Sequence, residues 1–367
     1  MKILHIINNL GSGGAEKLIE ETLPLMNNNS SISVELLLLT NEANVFEKGL
    51  KAANINISVV PIRRIRSPLN IFYIRKHIIK GKFDVVHVHL FPAQYWTAMA
   101  CMFIKKRRPK LITTEHNTSN RRRGKKLFRY IDKFIYSKFN IIISISMATK
   151  KALDSWINLF GKSEEKSIVI ENGINLEKFK NAKGYVKSEI VSAFTNETKI
   201  LCMIGRFSTQ KDHQTLIRAV AMLPENIHLL LIGEGELIKA NKALVTNLSI
   251  NDRIHFLGFR NDIEKIIKTV DILILSSNWE GFGLAALEGM SAGIVVLGTD
   301  VEGLSEVIGD EDQLFQVGDA KELANKIMVF LNDNQLYLNK ANAGFTRSGK
   351  YDISNMVAKY IDIYQNY

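Results

Sequence analysis

The stretch "SNWEGFGLAALEGM", Ser277 to Met290, sets Glu280 and Glu288 on either side of a glycine-aromatic-glycine turn. The preceding "DILILSS" has the apolar character of a buried strand, and "LAALEGMSAG" has helix formers closed by glycine. The turn therefore joins the carboxyl end of a strand to a helix N-terminus. Amides at such a terminus lack intrahelical partners, and the helix dipole favours an anion there. Gly281 and Gly283 keep the turn bare, so a ligand can approach the backbone. Glu280 at the strand end can reach hydroxyls, and Glu288 can point back from inside the helix. A ligand carrying both phosphates and sugar hydroxyls suits this pairing. Alone, the pattern is that of a capped surface helix with two solvated glutamates.

Two further turns have the same construction. "GRFSTQKDH" (205–213) follows the strand-like "KILCMIG" and opens the helical "HQTLIRAVAML". Arg206 and Lys211 would project from that strand end, where two cations can hold a diphosphate and stabilise it as it leaves. Near the N-terminus, "NLGSGGAEKLIEE" supplies Gly11, Gly13 and Gly14, but Glu16 stands where a dinucleotide fingerprint needs its third glycine. Close backbone approach to a phosphate or sugar fits this turn better than a nicotinamide or flavin. His87 and His89 in "HVHL" alternate onto one strand face and could mimic a metal pair, yet no third ligand is evident. The "DED" of 310–312 follows "EVIG" in an acidic loop away from these turns and is discounted as a metal motif.

The elements that must hold these turns repeat along the whole chain. Strands are expected near 2–8, 33–40, 56–60, 84–90, 110–114, 140–144 and 167–170, with helical segments between them. The rhythm restarts at "KILCMIG" and continues through "HLLLIG", "RIHFLG", "DILILSS" and "GIVVLG". Such alternation implies parallel sheets flanked by helices. A chain of 367 residues suggests two domains, each doubly wound α/β, with ligands at the carboxyl ends of the strands in a crevice between them. The expected boundaries are 1–172 for the first domain, 173–198 for a linker and 199–351 for the second. A terminal helix over 352–367 is expected to cross back onto the first domain.

Composition narrows the class. No apolar run reaches the roughly 18 residues that span a bilayer, and the N-terminus has no basic leader or cleavage site. Cys101 and Cys202 match no metal or redox spacing, as expected of reduced, buried thiols in a cytoplasmic protein. The net charge of +11 is uneven: residues 1–180 hold 30 Lys+Arg against 14 Asp+Glu, and residues 181–367 hold 18 against 23. The excess lies in "RRIR" (63–66), "KKRRPK" (105–110) and "RRRGKK" (121–126), which suggests a first domain that faces something acidic. "LFRYIDKFIYSKF" (127–139) has an aromatic-apolar face and could lie at a membrane surface or simply pack into the core.

Taken together, the motifs resemble those of the retaining glycosyltransferases of family 4, the "group 1" class, built on the GT-B fold of two Rossmann-like domains. In the second half the matching pieces are "GRFSTQKDHQTLIRA", "LLLIGEG", "IHFLGF", "SSNWEGFGLAALEGMSAG" and "VEGLSEVI", about 110 residues in the family's order. In the first half "NNLGSGGAEKLI", "DVVHVHL", "TTEHN", "IISIS" and "VIENGINLEKF" also match. The resemblance implies that Gly13 and Gly14 lie under the donor's phosphates and sugar, and that Arg206 and Lys211 bind its diphosphate. It implies that the backbone near Gly258 and Phe259 receives the nucleobase and that Glu288 holds the ribose. Glu280, with the amides of Phe282, Gly283 and Leu284, would grip the donor sugar, and His116 would stand near the anomeric carbon on the acceptor side. One departure is visible. The family often has His-Asp where this chain has His116-Asn117, preceded by Glu115.

The implied activity is hexosyl transfer with retention from a nucleotide diphosphate sugar, UDP favoured, with no metal and no other cofactor. The implied acceptor is a glycan or lipid-linked saccharide of bacterial-type surface polysaccharide assembly. The basic half would then meet the anionic inner face of the cytoplasmic membrane as a peripheral protein. Two alternatives stay open from the residues: a nucleic-acid-binding protein using the basic surface, and a sugar-nucleotide epimerase of the same fold. The basic runs lack the interleaved aromatics of a nucleic-acid module, and no nucleic acid is expected as a partner.

Overall fold

The computed structural model describes residues 1–62, 64–119, 122–158 and 165–366. Arg63 and Arg121 of the basic runs lie outside the described residues. The chain divides into two units, Met1–Asn172 with the segment from Ile353 onward, and Gly173–Asp352.

In the first unit the strands are β1 (Lys2–Ile7), β2 (Ser33–Leu38), β3 (Asn56–Val59), β4 (Val85–His89), β5 (Lys110–Glu115), β6 (Ile141–Ser144) and β7 (Ser167–Val169). They match the seven strands expected from the apolar runs. All pair in parallel, in the order β3-β2-β1-β4-β5-β6-β7 among the described residues. Residues of β4 and β6 are buried along their whole length, because helices cover both faces of a parallel sheet. Helix α1 (Gly14–Asn27) follows β1 and buries Leu18, Ile19, Thr22, Leu23 and Met26, the i, i+3, i+4 face of an amphipathic helix. Further helices are α2 (Glu47–Ala52), α3 (Asn70–Gly81), α4 (Ala93–Met102), α5 (Lys126–Tyr136) and α6 (Met147–Ile157).

The second unit begins with two short helices, α7 (Leu176–Lys180) and α8 (Lys187–Ile190). Residues 173–198, expected to be a linker, belong to this unit. Phe179 and Phe194 are buried, and Tyr185 donates its hydroxyl to Asp262 at 2.7 Å. The sheet contains β8 (Lys199–Ile204), β9 (Ile227–Ile232), β10 (Ile254–Gly258), β11 (Ile272–Leu275), β12 (Val295–Thr299) and β13 (Leu314–Phe315). Their order is β10-β9-β8-β11-β12-β13, again all parallel. The helices are α9 (His213–Ala221), α10 (Ile238–Asn247), α11 (Ile263–Ile267), α12 (Leu284–Ser291), α13 (Leu304–Ile308), α14 (Ala320–Asn332) and α15 (Asn334–Ser348). Finally α16 (Ile353–Asn366) returns to the first unit and packs on α1.

Both sheets reverse their winding beside their first strand, between β1 and β4 and between β8 and β11. In doubly wound folds, ligands bind at the carboxyl ends of the strands beside that reversal. The loops selected from sequence follow β1, β8 and β11, so topology alone puts them at the places where such sheets bind.

Candidate functional site

In the second unit the loops after β8 and β11 are tied together. Asn278 donates its amide to the Gln210 carbonyl and its side chain to the Thr209 carbonyl, both at 2.7 Å. Gln210 donates to the Trp279 carbonyl at 3.1 Å, and Ser276 to the Asp212 carbonyl at 2.9 Å. This lacing brings Lys211 against Glu280, 69 residues away, in an ion pair through Glu280 Oε1. Ser277 donates to the same oxygen at 2.7 Å. The pair is mostly withdrawn from solvent, at 18% and 7% side-chain exposure, so neither charge is held by water alone. Arg206 lies on the same loop and is exposed, with no ion pair among the described residues.

Glu280 leads into α12 through Gly283, whose φ of +92° is left-handed backbone. A side chain there would be strained, and its Cβ would meet Leu304 Cδ1 at 2.8 Å. Behind the turn sits Gly303, also left-handed at +86°, where a Cβ would come within 2.9 Å of the Glu280 carbonyl oxygen. The glycine of "VEGLSEVI" thus lets the chain after β12 support the turn. Among the described residues, the amides of Phe282, Gly283 and Leu284 donate to no protein acceptor. They form an N-terminal helix end with donors to spare. Phe282 itself is buried edge-on against Tyr351, at 5.5 Å between centroids. Glu288, in the second turn of α12, is 3% exposed. Gly258 ends β10 in left-handed conformation with open space beside its Cα, and its carbonyl accepts from the Gly233 amide at 2.8 Å. Phe259 follows it, partly buried. The "DED" loop is occupied from within: Lys340 reaches Asp310 at 2.8 Å and Asp312 at 2.6 Å.

In the first unit Gly13 caps α1 and Gly14 is its first residue, at the carboxyl end of β1. A Cβ on Gly13 would lie 2.2 Å from Glu16 Oε2. His116 follows β5, two strands away across β4. Its Nε2 meets His89 Nδ1 at 3.2 Å, and burial holds the imidazole down to about 4, so it is neutral at pH 7.

Sequence reasoning missed three features here. A third buried histidine, His5 on β1, joins His87 and His89, and their ring nitrogens could in principle gather round one ion. His87, however, spends Nδ1 on the Tyr364 hydroxyl at 2.6 Å and Nε2 on Thr114 at 2.7 Å, so the group is bound by hydrogen bonds from α16 and β5. Secondly, "RRRGKK" is only partly a solvated run. Arg122 and Arg123 are 11% exposed and turn inward to Asp132 at 3.6 Å and Glu115 at 3.9 Å. Arg122 also stacks over Phe91 at 4.1 Å. Thirdly, Glu115 accepts from the Tyr136 hydroxyl, and Asp132 from Tyr95 and from Trp156 at 2.8 Å. Glu115 therefore serves α5 rather than His116.

Comparison with known proteins gives a consistent picture. The family model described as "Glycosyl transferases group 1" matches residues 187–347, and "Glycosyltransferase Family 4" matches residues 13–178. The chain is 26% identical to the N-acetylgalactosamine-N,N'-diacetylbacillosaminyl-diphospho-undecaprenol 4-alpha-N-acetylgalactosaminyltransferase of Campylobacter jejuni, over 98% of this chain and 99% of the relative. It is also 26% identical to the UDP-Gal:alpha-D-GlcNAc-diphosphoundecaprenol alpha-1,3-galactosyltransferase of Escherichia coli, over 84% and 81% of the two chains. Among solved structures it resembles Anabaena HepE in complex with UDP and glucose, at TM-score 0.86 and 20% identity over 100% of both chains. WaaG, a glycosyltransferase involved in lipopolysaccharide biosynthesis, superposes at TM-score 0.77 with 16% identity over the full chain and 100% of its own length. These likenesses show the GT-B fold.

Proposed function

Because the chain belongs to the group 1 glycosyltransferases, we propose that it transfers a sugar from a UDP-sugar, with retention and without a metal, to a lipid-linked saccharide. The observation that carries this reading is the Lys211–Glu280 pair beside the open amides of α12. It offers a cation and helix-end donors to a diphosphate, next to a carboxylate for sugar hydroxyls. In support, the Campylobacter and Escherichia relatives are named for acceptors on diphospho-undecaprenol, and the second for UDP-Gal as donor. The basic-surface alternative loses ground because Arg122 and Arg123 are spent within the unit. The epimerase alternative has no relative among those described above.

In the proposed reaction the bond from the anomeric carbon to the diphosphate breaks as the acceptor oxygen bonds that carbon on the same face. The acceptor's proton passes to the departing diphosphate oxygen. Arg206, Lys211 and the amides of Phe282, Gly283 and Leu284 stabilise the charge that develops there, in the role a divalent ion would otherwise take. Glu280 holds the sugar and Glu288 the ribose, while the backbone at Gly258 and Phe259 lies against the base. In the first unit, the family resemblance assigns Gly13 and Gly14 to the donor and His116 to the acceptor side.

On this reading the protein works at the inner face of the cytoplasmic membrane. No helix of the described residues is long and apolar enough to cross a membrane. On α5, however, Leu127, Tyr130 and Phe134 are 70%, 74% and 50% exposed on one face, beside exposed Lys126 and Lys133. Apolar side chains ringed by lysines suit shallow insertion into an anionic leaflet. One experiment tests both parts: incubation in EDTA with UDP-sugars and a polyprenyl-diphosphate saccharide in anionic vesicles. The donor's anomeric configuration is expected in the product by NMR, and the protein should sediment with the vesicles. Leu127→Ser with Phe134→Ser should release it. An inverted anomer would rule out the same-face route, and unchanged sedimentation of the variant would rule out α5 as the contact.

A further inference from the structure

The family pattern often gives the acceptor-side histidine an adjacent carboxylate, and here Asn117 stands in its place. The structure supplies imidazoles instead. His5 Nδ1 meets His89 Nε2 at 3.2 Å, and His89 Nδ1 meets His116 Nε2 at 3.2 Å. The rings of His5 and His89 are stacked, 5.4 Å between centroids. His87 lies beside this chain but bonds outside it, to Tyr364 and Thr114. No described carboxylate bonds to any of the three, since Glu115 is taken by Tyr136 and Arg123.

A neutral imidazole has one N–H and one bare nitrogen. His89 must therefore donate to one neighbour and accept from the other, which gives the chain two possible directions. In one, His5 donates to His89 and His89 donates to His116. His116 then carries its own proton on Nδ1, and His5 Nε2 is a bare lone pair. In the other, every proton sits on the opposite nitrogen, and His5 Nε2 becomes an N–H. That nitrogen is buried with no hydrogen-bond partner among the described residues. An orphaned N–H is the rarer defect in protein interiors, so the first direction is favoured.

We propose that His5 and His89 are positioning residues that hold His116 in its Nδ1–H tautomer, so that it meets its substrate as a hydrogen-bond donor and not as a base. This rests on the assignment of His116 to the acceptor side. It is consistent with a reaction in which the departing diphosphate, not the enzyme, takes the acceptor's proton. Burial keeps the chain uncharged, holding His5 down to about 3 and His116 to about 4. Free imidazole prefers the opposite tautomer, so the arrangement is a measurable departure.

The test is a long-range proton–nitrogen correlation spectrum of the full chain labelled with nitrogen-15 histidine. His116 is expected as the neutral Nδ1–H form between pH 5.5 and 8. His5→Phe removes the first donor, so His116 should revert to Nε2–H, with kcat falling about tenfold to a hundredfold and UDP affinity unchanged. His5→Gln still offers an N–H to His89 and should restore both. An Nε2–H signal for His116 in the unaltered protein would overturn the proposal, as would a tautomer indifferent to His5→Phe. If His5→Phe does not fold, the unaltered protein and His5→Gln still decide. The tautomer is read without substrate, so its outcome is separate from whether the protein transfers sugar.

Discussion

Lys211→Ala is expected to lower kcat/KM for transfer by about a thousandfold, in line with loss of one preorganised group facing developing charge. The same change leaves Glu280 as a buried carboxylate without its cation, which costs on the order of 3–5 kcal/mol when a buried pair is broken. Activity and stability should therefore fall together. They separate in a second variant, Lys211→Met with Glu280→Gln, where no net charge is left buried. Urea unfolding should show most of the lost stability regained, because the two effects are coupled and not additive. Transfer should stay as low as in Lys211→Ala. Near-normal kinetics in either variant would remove the pair from the mechanism and leave it a structural ion pair.

The second large effect concerns α16. A chain ending at Asp352 keeps every element of the second unit but loses Ile353, Met356, Val357, Tyr360, Ile363 and Tyr364, all nearly inaccessible to solvent. At about 1.5–3 kcal/mol for each buried side chain, the loss reaches roughly 9–18 kcal/mol, comparable with the whole stability of a domain. His87 would also lose its bond to Tyr364, and Lys110 its bond to the Ile363 carbonyl. Hydrogen exchange should show the amides of β1 and β4 unprotected and those of β8 and β11 protected as before. Equal protection in both sheets would mean that the first unit folds without its terminal helix.

These outcomes depend on features that differ in how legible they were in the sequence. The parallel strands were visible because burial on both faces makes each one a short apolar run. β13 escaped, since two residues cannot establish a pattern. The partnership of Lys211 with Glu280 was within reach because both motifs follow a strand and open a helix, and such turns gather at the reversal of a doubly wound sheet. The histidine chain was not. Alternation put His87 and His89 on one face, but the arrival of His5 depends on β1 lying next to β4 with His5 opposite His87, which only sheet order and register decide. Arg122 and Arg123 were misleading for a related reason. A run of basic residues carries no sign of which members turn inward, and here Glu115 and Asp132 draw two of them into the unit.

The proposed function requires a UDP-sugar site in the second unit that needs no metal. Calorimetric titration of the full chain with UDP and with GDP, both in EDTA, tests it most directly. UDP is expected to bind in preference to GDP, and its binding to weaken about tenfold or more in Glu288→Gln through the lost ribose contact and in Lys211→Ala through the lost diphosphate contact. Binding of UDP only after a divalent metal is added, or binding indifferent to both substitutions, would contradict it.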